Sequence, residues 1–288
     1  MALTSFLALP EGNEYRLYVP GLGGAEASVG AGTPYGVDTT PKYPIGTIIR
    51  RGFKTFVYCY AGGVCTTGVG VYKSKKTNAC AVAPVQKTAA SMAADYPGET
   101  LAAGAKGSRY VTITIDAVIG HLVTGVLWAN ELAGGDIVIS NTTQPQQRTI
   151  VSHPALAAAG ALTVKLDAPL SRACVAATTY IENMDNIFAY VKADNAGGPY
   201  VSFLGVPTDV AASGEWFWMQ TYGPCWMTSN SNTCDSALDR TLVFVGNGTV
   251  VSSNDIIVED GFQIAGFALD SSSVGASNAP MVFLTIMR

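Results

Sequence analysis

Gly214-Glu215-Trp216-Phe217-Trp218-Met219-Gln220-Thr221-Tyr222-Gly223-Pro224 decides the fold class of this 288-residue chain. Trp216, Trp218 and Gln220 alternate with Phe217, Met219 and Thr221, so both faces of one extended segment are largely apolar. Successive side chains of a strand point to opposite faces, and apolar character on both marks a sheet covered on both sides. Arg240 to Val250 and Gln263 to Leu269 read as two further short strands between Gly- and Pro-bearing turns. Upstream, Tyr43 to Gly63 reads as a hairpin with a basic glycine turn at Arg50-Arg51-Gly52. Tyr110–Asp116, Gly134–Ile139, Arg148–Pro154 and Leu162–Leu170 continue the strand pattern, after which Tyr180–Asn183 and Asn186–Val191 lead back towards the C-terminal strands. Helical signals are confined to Pro84–Tyr96, started by Pro84 and stopped before Pro97-Gly98. The expectation is a mainly β protein of β-barrel or β-sandwich modules, with an extended N-terminal arm and at most one or two short helices.

Composition narrows the function. Charged residues make up 13% of the chain, against about 25% in ordinary soluble domains. A largely neutral surface is tolerable when it is covered by other subunits, so assembly is a natural destination. The formal charge of -4 opposes wrapping of nucleic acid, which needs a basic field. With no continuous apolar run of about 18 residues, no membrane span is expected.

Residues 1 to 42 hold Gly21, Gly23, Gly24, Gly30, Gly32 and Gly36 with Pro20, Pro34 and Pro41, a poor basis for a packed module. Phe6, Leu7, Leu9, Tyr15, Leu17, Tyr18 and Val19 nevertheless make the segment more apolar than a disordered tail. It reads as an arm that becomes ordered on a neighbouring subunit, with the core strands starting near Tyr43.

No constellation for catalysis stands out. His121 lies among apolar neighbours and His153 precedes Pro154; spacing joins neither to a nucleophile. Asp255, Glu259 and Asp260 form an acidic group that the turn before Gly261 explains in part. Gly21 to Gly24 lacks the Lys-Ser/Thr of a phosphate loop. Zinc is not expected, since Cys59, Cys65, Cys80, Cys174, Cys225 and Cys234 include no Cys-x-x-Cys. The even count permits disulfides, with Cys225–Cys234 across a polar loop and Cys59–Cys65 across a glycine turn as local pairs. Catalytic, cofactor and metal residues are therefore expected to be none. Trp226, between Cys225 and the polar loop, reads as an exposed, contact-making tip, while the other tryptophans read as core or interface.

Trp218-Met219-Gln220-Thr221-Tyr222-Gly223-Pro224, the glycine-bounded strand Arg240–Val250, Ala265-Gly266-Phe267-Ala268-Leu269 and the hairpin Tyr43–Gly63 together resemble tailed-phage virion structural proteins of the head-decoration, or capsid cement, type. The strands between Tyr110 and Leu170 are similar to the middle module of larger members. The resemblance implies one discontinuous β-module from residues 43–98 and 189–288, an inserted β-module at 99–188, and the arm at 1–42. It also implies a structural protein without enzymatic activity on the outer surface of a phage head, assembled in the host cytoplasm. Its partners would be the major capsid protein and further copies of itself, as a trimer or dimer, with no nucleic acid or membrane. Phe6, Leu9, Tyr15, Leu17, Tyr18, Val19 and Trp226 would make the contacts, and the reducing cytoplasm would keep the cysteines as thiols by default. The alternative is an adhesin-like or carbohydrate-binding protein of a tail fibre, spike or surface filament. A main shell or tail-tube role ranks lower, for want of a long helix.

Overall fold

The segment around Trp216 becomes an 11-residue strand, Trp216–Trp226, around which the larger sheet is arranged. A computed structural model describes residues 15–18, 26–29, 34–73, 101–115, 128–141, 144–158, 160–175, 179–184, 186–193, 202–230, 240–254, 262–269 and 279–287. The protein is mainly β, with no helix among these residues. The expected helix at 84–96 lies outside them.

In chain order the strands are β1 (Tyr15–Tyr18), β2 (Glu26–Val29), β3 (Val37–Asp38), β4 (Ile48–Arg51), β5 (Lys54–Tyr60), β6 (Val71–Lys73), β7 (Leu101–Gly104), β8 (Tyr110–Ile115), β9 (Asp136–Asn141) and β10 (Gln144–Ser152). They continue as β11 (Gly160–Leu166), β12 (Cys174–Val175), β13 (Thr179–Met184), β14 (Val191–Lys192), β15 (Phe203–Pro207), β16 (Trp216–Trp226), β17 (Thr241–Phe244), β18 (Val250–Ser252), β19 (Ile264–Ala268) and β20 (Met281–Thr285). Two compact units contain them: Met1–Val19 with Ala25–Ser74 and Phe188–Arg288, and Pro20–Gly24 with Lys75–Ile187.

The first unit holds a curled 13-stranded sheet with the path β18-β17-β19-β20-β16-β5-β4-β1-β2. One edge of β16 follows β5, from Trp216 opposite Tyr60 to Tyr222 opposite Thr55. The other edge is occupied in succession by β3, β15 and β20. Enclosed on both edges, Trp216 to Thr221 are buried on both faces, as their alternation predicts. Tyr58 and Trp218 pack with ring centroids 4.9 Å apart, and Tyr43 lies 5.4 Å from Trp218. A two-residue loop, Gly52-Phe53, joins β4 to β5; Gly52 has φ 56°, the left-handed conformation that such hairpins place on a leading glycine.

The second unit holds a seven-stranded barrel-like sheet, β12-β7-β8-β11-β10-β9-β13. Its core joins Val111 and Ile113 of β8, Ile137 and Ile139 of β9, Ile150 of β10, and Leu162, Val164 and Leu166 of β11. β11 shows why: Leu162, Val164 and Leu166 are buried while Ala161 and Thr163 are exposed, the period of two along a half-covered strand.

Three local expectations need correction. Residues 34–42, assigned to the arm, pack into the first unit: Val37-Asp38 pairs with Phe217-Trp216, and Pro34 is buried with its carbonyl accepting a 2.9 Å hydrogen bond from Thr208 Oγ1. β1, also within the arm, pairs with β4 of its own chain, Leu17 opposite Ile49. Arg240–Val250 is not one strand but β17 and β18 joined by a turn at Asn247-Gly248, where Gly248 takes φ 75° and Asn247 Oδ1 accepts from the Thr249 amide. The connection Asn186–Val191 is mostly a turn, with Tyr190 at φ 57°, and Val191 begins β14.

Candidate contact surface

The end of β16 differs from its beginning. Thr221 is the extra residue of a bulge, since Gln220 faces Phe56 and Tyr222 faces the adjacent Thr55. Beyond Tyr222 the strand loses β5 and keeps β20 alone, which is how Gly223-Pro224, read from sequence as a turn, continues as a strand: proline is tolerated where a strand has a free edge. Gln220 stands in for the missing neighbour. Its buried side-chain amide Nε2 lies 3.1, 3.0 and 2.8 Å from the carbonyl oxygens of Tyr222, Gly223 and Pro224.

This irregular end presents a regular surface. Directly opposite residues of antiparallel strands share a face, and the register of β19, β20 and β16 builds three rungs. Phe267, Phe283 and Pro224 form the middle one. Leu269, Met281 and Trp226 form the second, with the Leu269 amide bonded to the Met281 carbonyl. Thr285 and Tyr222 form the third. The opposite face of the same strands, with Val282, Leu284, Ala265 and Ala268, is core. Phe267 and Phe283 stack with centroids 5.1 Å apart and planes 10° from parallel, and Tyr222 meets Phe283 edge-on at 5.2 Å. Trp226 is 48% exposed, Leu269 46%, and Phe267 and Met281 43% each. The rungs hold no Asp, Glu, Lys, Arg or His. Trp226 also lies over Gly68, where a Cβ would overlap its six-membered ring.

A second exposed apolar group sits at the β4–β5 turn. Phe53 is 80% exposed, flanked by exposed Arg50 and Arg51 and half-buried Lys54. Its backbone carbonyl packs against Gly223, which brings this basic, aromatic tip beside the free-edged end of β16.

Among the contact residues expected from sequence, Trp226 is at the corner of the rungs. Tyr15, Leu17 and Tyr18 lie in β1, and Phe6, Leu9 and Val19 fall outside the described residues. Cys225 is a free thiol and Cys234 is outside the described residues. Cys59 and Cys65, a pair that the sequence allows to be bridged, are both free and buried. Burial pushes the Cys59 thiol well up and those of Cys65 and half-buried Cys225 up to about 12, so all three stay neutral at ordinary pH.

His153 has a structural job. Its Nε2 accepts from the Leu132 amide at 2.9 Å, leaving Nδ1–H to donate to the Pro154 carbonyl at 2.7 Å. His121 and the acidic group Asp255, Glu259 and Asp260 lie outside the described residues. Among the described residues no group of three or more His, Cys, Asp or Glu is placed to hold a metal, and no helix is long and apolar enough to cross a membrane.

Sequence reasoning missed Phe53, Phe267, Met281 and Phe283 as surface residues. Alternation within β20, with exposed Met281 and Thr285 against buried Val282 and Leu284, carried a usable signal. No family model matches this chain, and no curated protein or solved structure matches it.

Proposed function

We propose that this protein is a structural virion protein that binds and stabilises the outside of a phage head, joining neighbouring capsomers. What supports the reading is the pairing of two separate exposed apolar groups on one β body, the uncharged rungs and the basic Phe53 tip, in a chain with 13% charged residues. A bridging subunit needs more than one contact surface, and repetition over a lattice turns weak contacts into firm attachment. The Phe53 tip, with Arg50, Arg51 and Lys54 around it, suits an acidic patch on the major capsid protein. The choice of a capsid as the surface comes from the sequence resemblance to head-decoration proteins.

The test is addition of purified protein to heads that lack it, followed by sedimentation and heat challenge. Saturable binding that raises head stability is expected, with Phe53→Ser weakening it at least tenfold. Failure to bind any head while a glycan array shows specific sugar binding, abolished by Trp226→Ala, would replace this reading with a carbohydrate-binding one, in which the exposed aromatic rings stack on sugar.

A further inference from the structure

We infer that the rung face of β16, β20 and β19 is a self-association surface, covered in solution by the same face of a second copy. This deepens the contact-protein reading but requires no capsid. Three features favour a second copy over a foreign partner.

The first is charge. The chain carries a formal -4, so two copies repel over most orientations. A face built from Phe267, Phe283, Met281, Leu269, Trp226 and Tyr222 brings no like charges together when it meets itself. A site for an acidic or basic partner would carry counter-charges here, and the rungs carry none.

The second is shape and area. The rungs belong to three hydrogen-bonded neighbouring strands, and two sheets pack face to face through such side chains at a spacing of about 10 Å. With about 150–250 Å² for a whole large side chain, the exposures of Trp226, Leu269, Phe267 and Met281 together leave roughly 270–450 Å² of largely apolar surface on one copy. Stable complexes bury about 800 Å² per partner, so the rungs supply about half of that as an apolar centre and the surrounding rim the remainder. A face meeting itself across a two-fold axis closes at two copies.

The third is the lack of a cover in the adjoining sequence. The segment linking β19 to β20 beyond Leu269 reads Asp270-Ser-Ser-Ser-Val-Gly-Ala-Ser-Asn278, with Val274 its one sizeable apolar residue. Such a composition offers little apolar surface to set against stacked phenylalanines.

The experiment is sedimentation equilibrium of the full chain at about 1 to 100 µM, with Phe267→Glu and Met281→Lys as separate variants. Both side chains are exposed, and a cooperative melting transition with the parent's far-UV circular dichroism establishes that each variant is folded, since loss of the dimer by itself lowers the melting temperature at high concentration; if one fails to fold, the other carries the test. The expected result is a species of twice the 30.0 kDa chain mass, with the dimer dissociation constant raised at least tenfold in the variants. A monomer throughout the range, a trimer, or a folded variant that dimerises like the parent overturns the inference. So does a monomer in which removing residues 1–14 newly exposes the rungs to hydrogen exchange, which would assign the face to the chain's own N-terminal segment. Head binding is scored separately: a dimer that ignores heads removes only the capsid reading, and a monomer that binds them removes only this inference.

Discussion

The Tyr58 hydroxyl donates a 2.9 Å hydrogen bond to Asp38 Oδ2, joining the centre of β5 to the short strand β3. The Lys42 amide donates in turn to the Tyr58 oxygen at 3.2 Å, and burial with the neighbouring carboxylate pushes the phenol far above its usual range. Residues 34–42 are therefore part of the body. Tyr58→Phe should lower stability by about 1.5–3 kcal/mol, the range for a hydrogen bond to a charged group. Truncation should separate two lengths: removal of residues 1–33 leaves a cooperative melting transition, whereas removal of 1–42 abolishes or strongly lowers it. Equal melting of the two truncations would contradict the β3 assignment.

Gly223 has φ 90° and its missing side chain faces the Phe53 carbonyl and Lys54 Cα. An alanine there suffers left-handed strain of about 1–2 kcal/mol and displaces backbone, for about 1–3 kcal/mol more. Gly52, at φ 56° with open space where a Cβ would be, supplies the control. Urea unfolding should show Gly223→Ala clearly worse than Gly52→Ala, and the difference isolates the close approach of the β4–β5 turn to β16.

Gln220 should be hard to replace. Methionine of similar length removes the donor to three carbonyls at the free-edged end of β16, with an expected loss of about 1–3 kcal/mol. Glutamate should be worse near neutral pH, where its carboxylate faces those oxygens. It should recover towards the parent in acid, where the protonated group donates again. Denaturation midpoints of Gln220→Glu that do not rise on acidification would remove Gln220 from this role.

Alkaline sensitivity follows from the buried thiols. Cys65 is pushed up to about 12 from its usual 9.0, and Cys59 is also well above it. Above pH 9 the unfolded thiols ionise while the folded ones remain neutral, so the unfolded chain binds fewer protons and stability falls as pH rises. The contribution is complete below about pH 9 and is lost towards pH 12 at about 1.4 kcal/mol per pH unit for each thiol. In reductant, Cys65→Ala should flatten the slope by about one thiol's share; an unaltered slope would contradict its burial as a neutral group.

Strand type was legible where the signal is local. Trp216 to Thr221 announce a doubly covered strand because alternation needs no knowledge of neighbours, and β8, β10 and β11 were legible in the same way from Tyr110, Arg148 and Leu162 onward. The places that misled reading are those where a distant partner overrules local chemistry. Gly223-Pro224 looks like a turn, yet β20 on one side and the Gln220 amide beneath it keep the chain extended. Residues 34–42 look like linker because Pro34, Gly36 and Pro41 punctuate them, yet Tyr58 and the edge of β16 hold them.

The sequence by itself determined a mainly β, weakly charged chain with a central aromatic strand, since composition and a period of two are properties of neighbouring residues. Only the tertiary structure decided which aromatics face outward together. Trp226, Phe267 and Phe283 come from three strands, and a shift of one residue in any register would turn its side chains into the core. That register depends on the bulge at Thr221 and on pairing of β16 with segments far away in sequence, from Trp226 with Met281 in β20 to Trp216 with Tyr60 in β5, where contact is set by the fold as a whole and leaves no periodic trace in the chain.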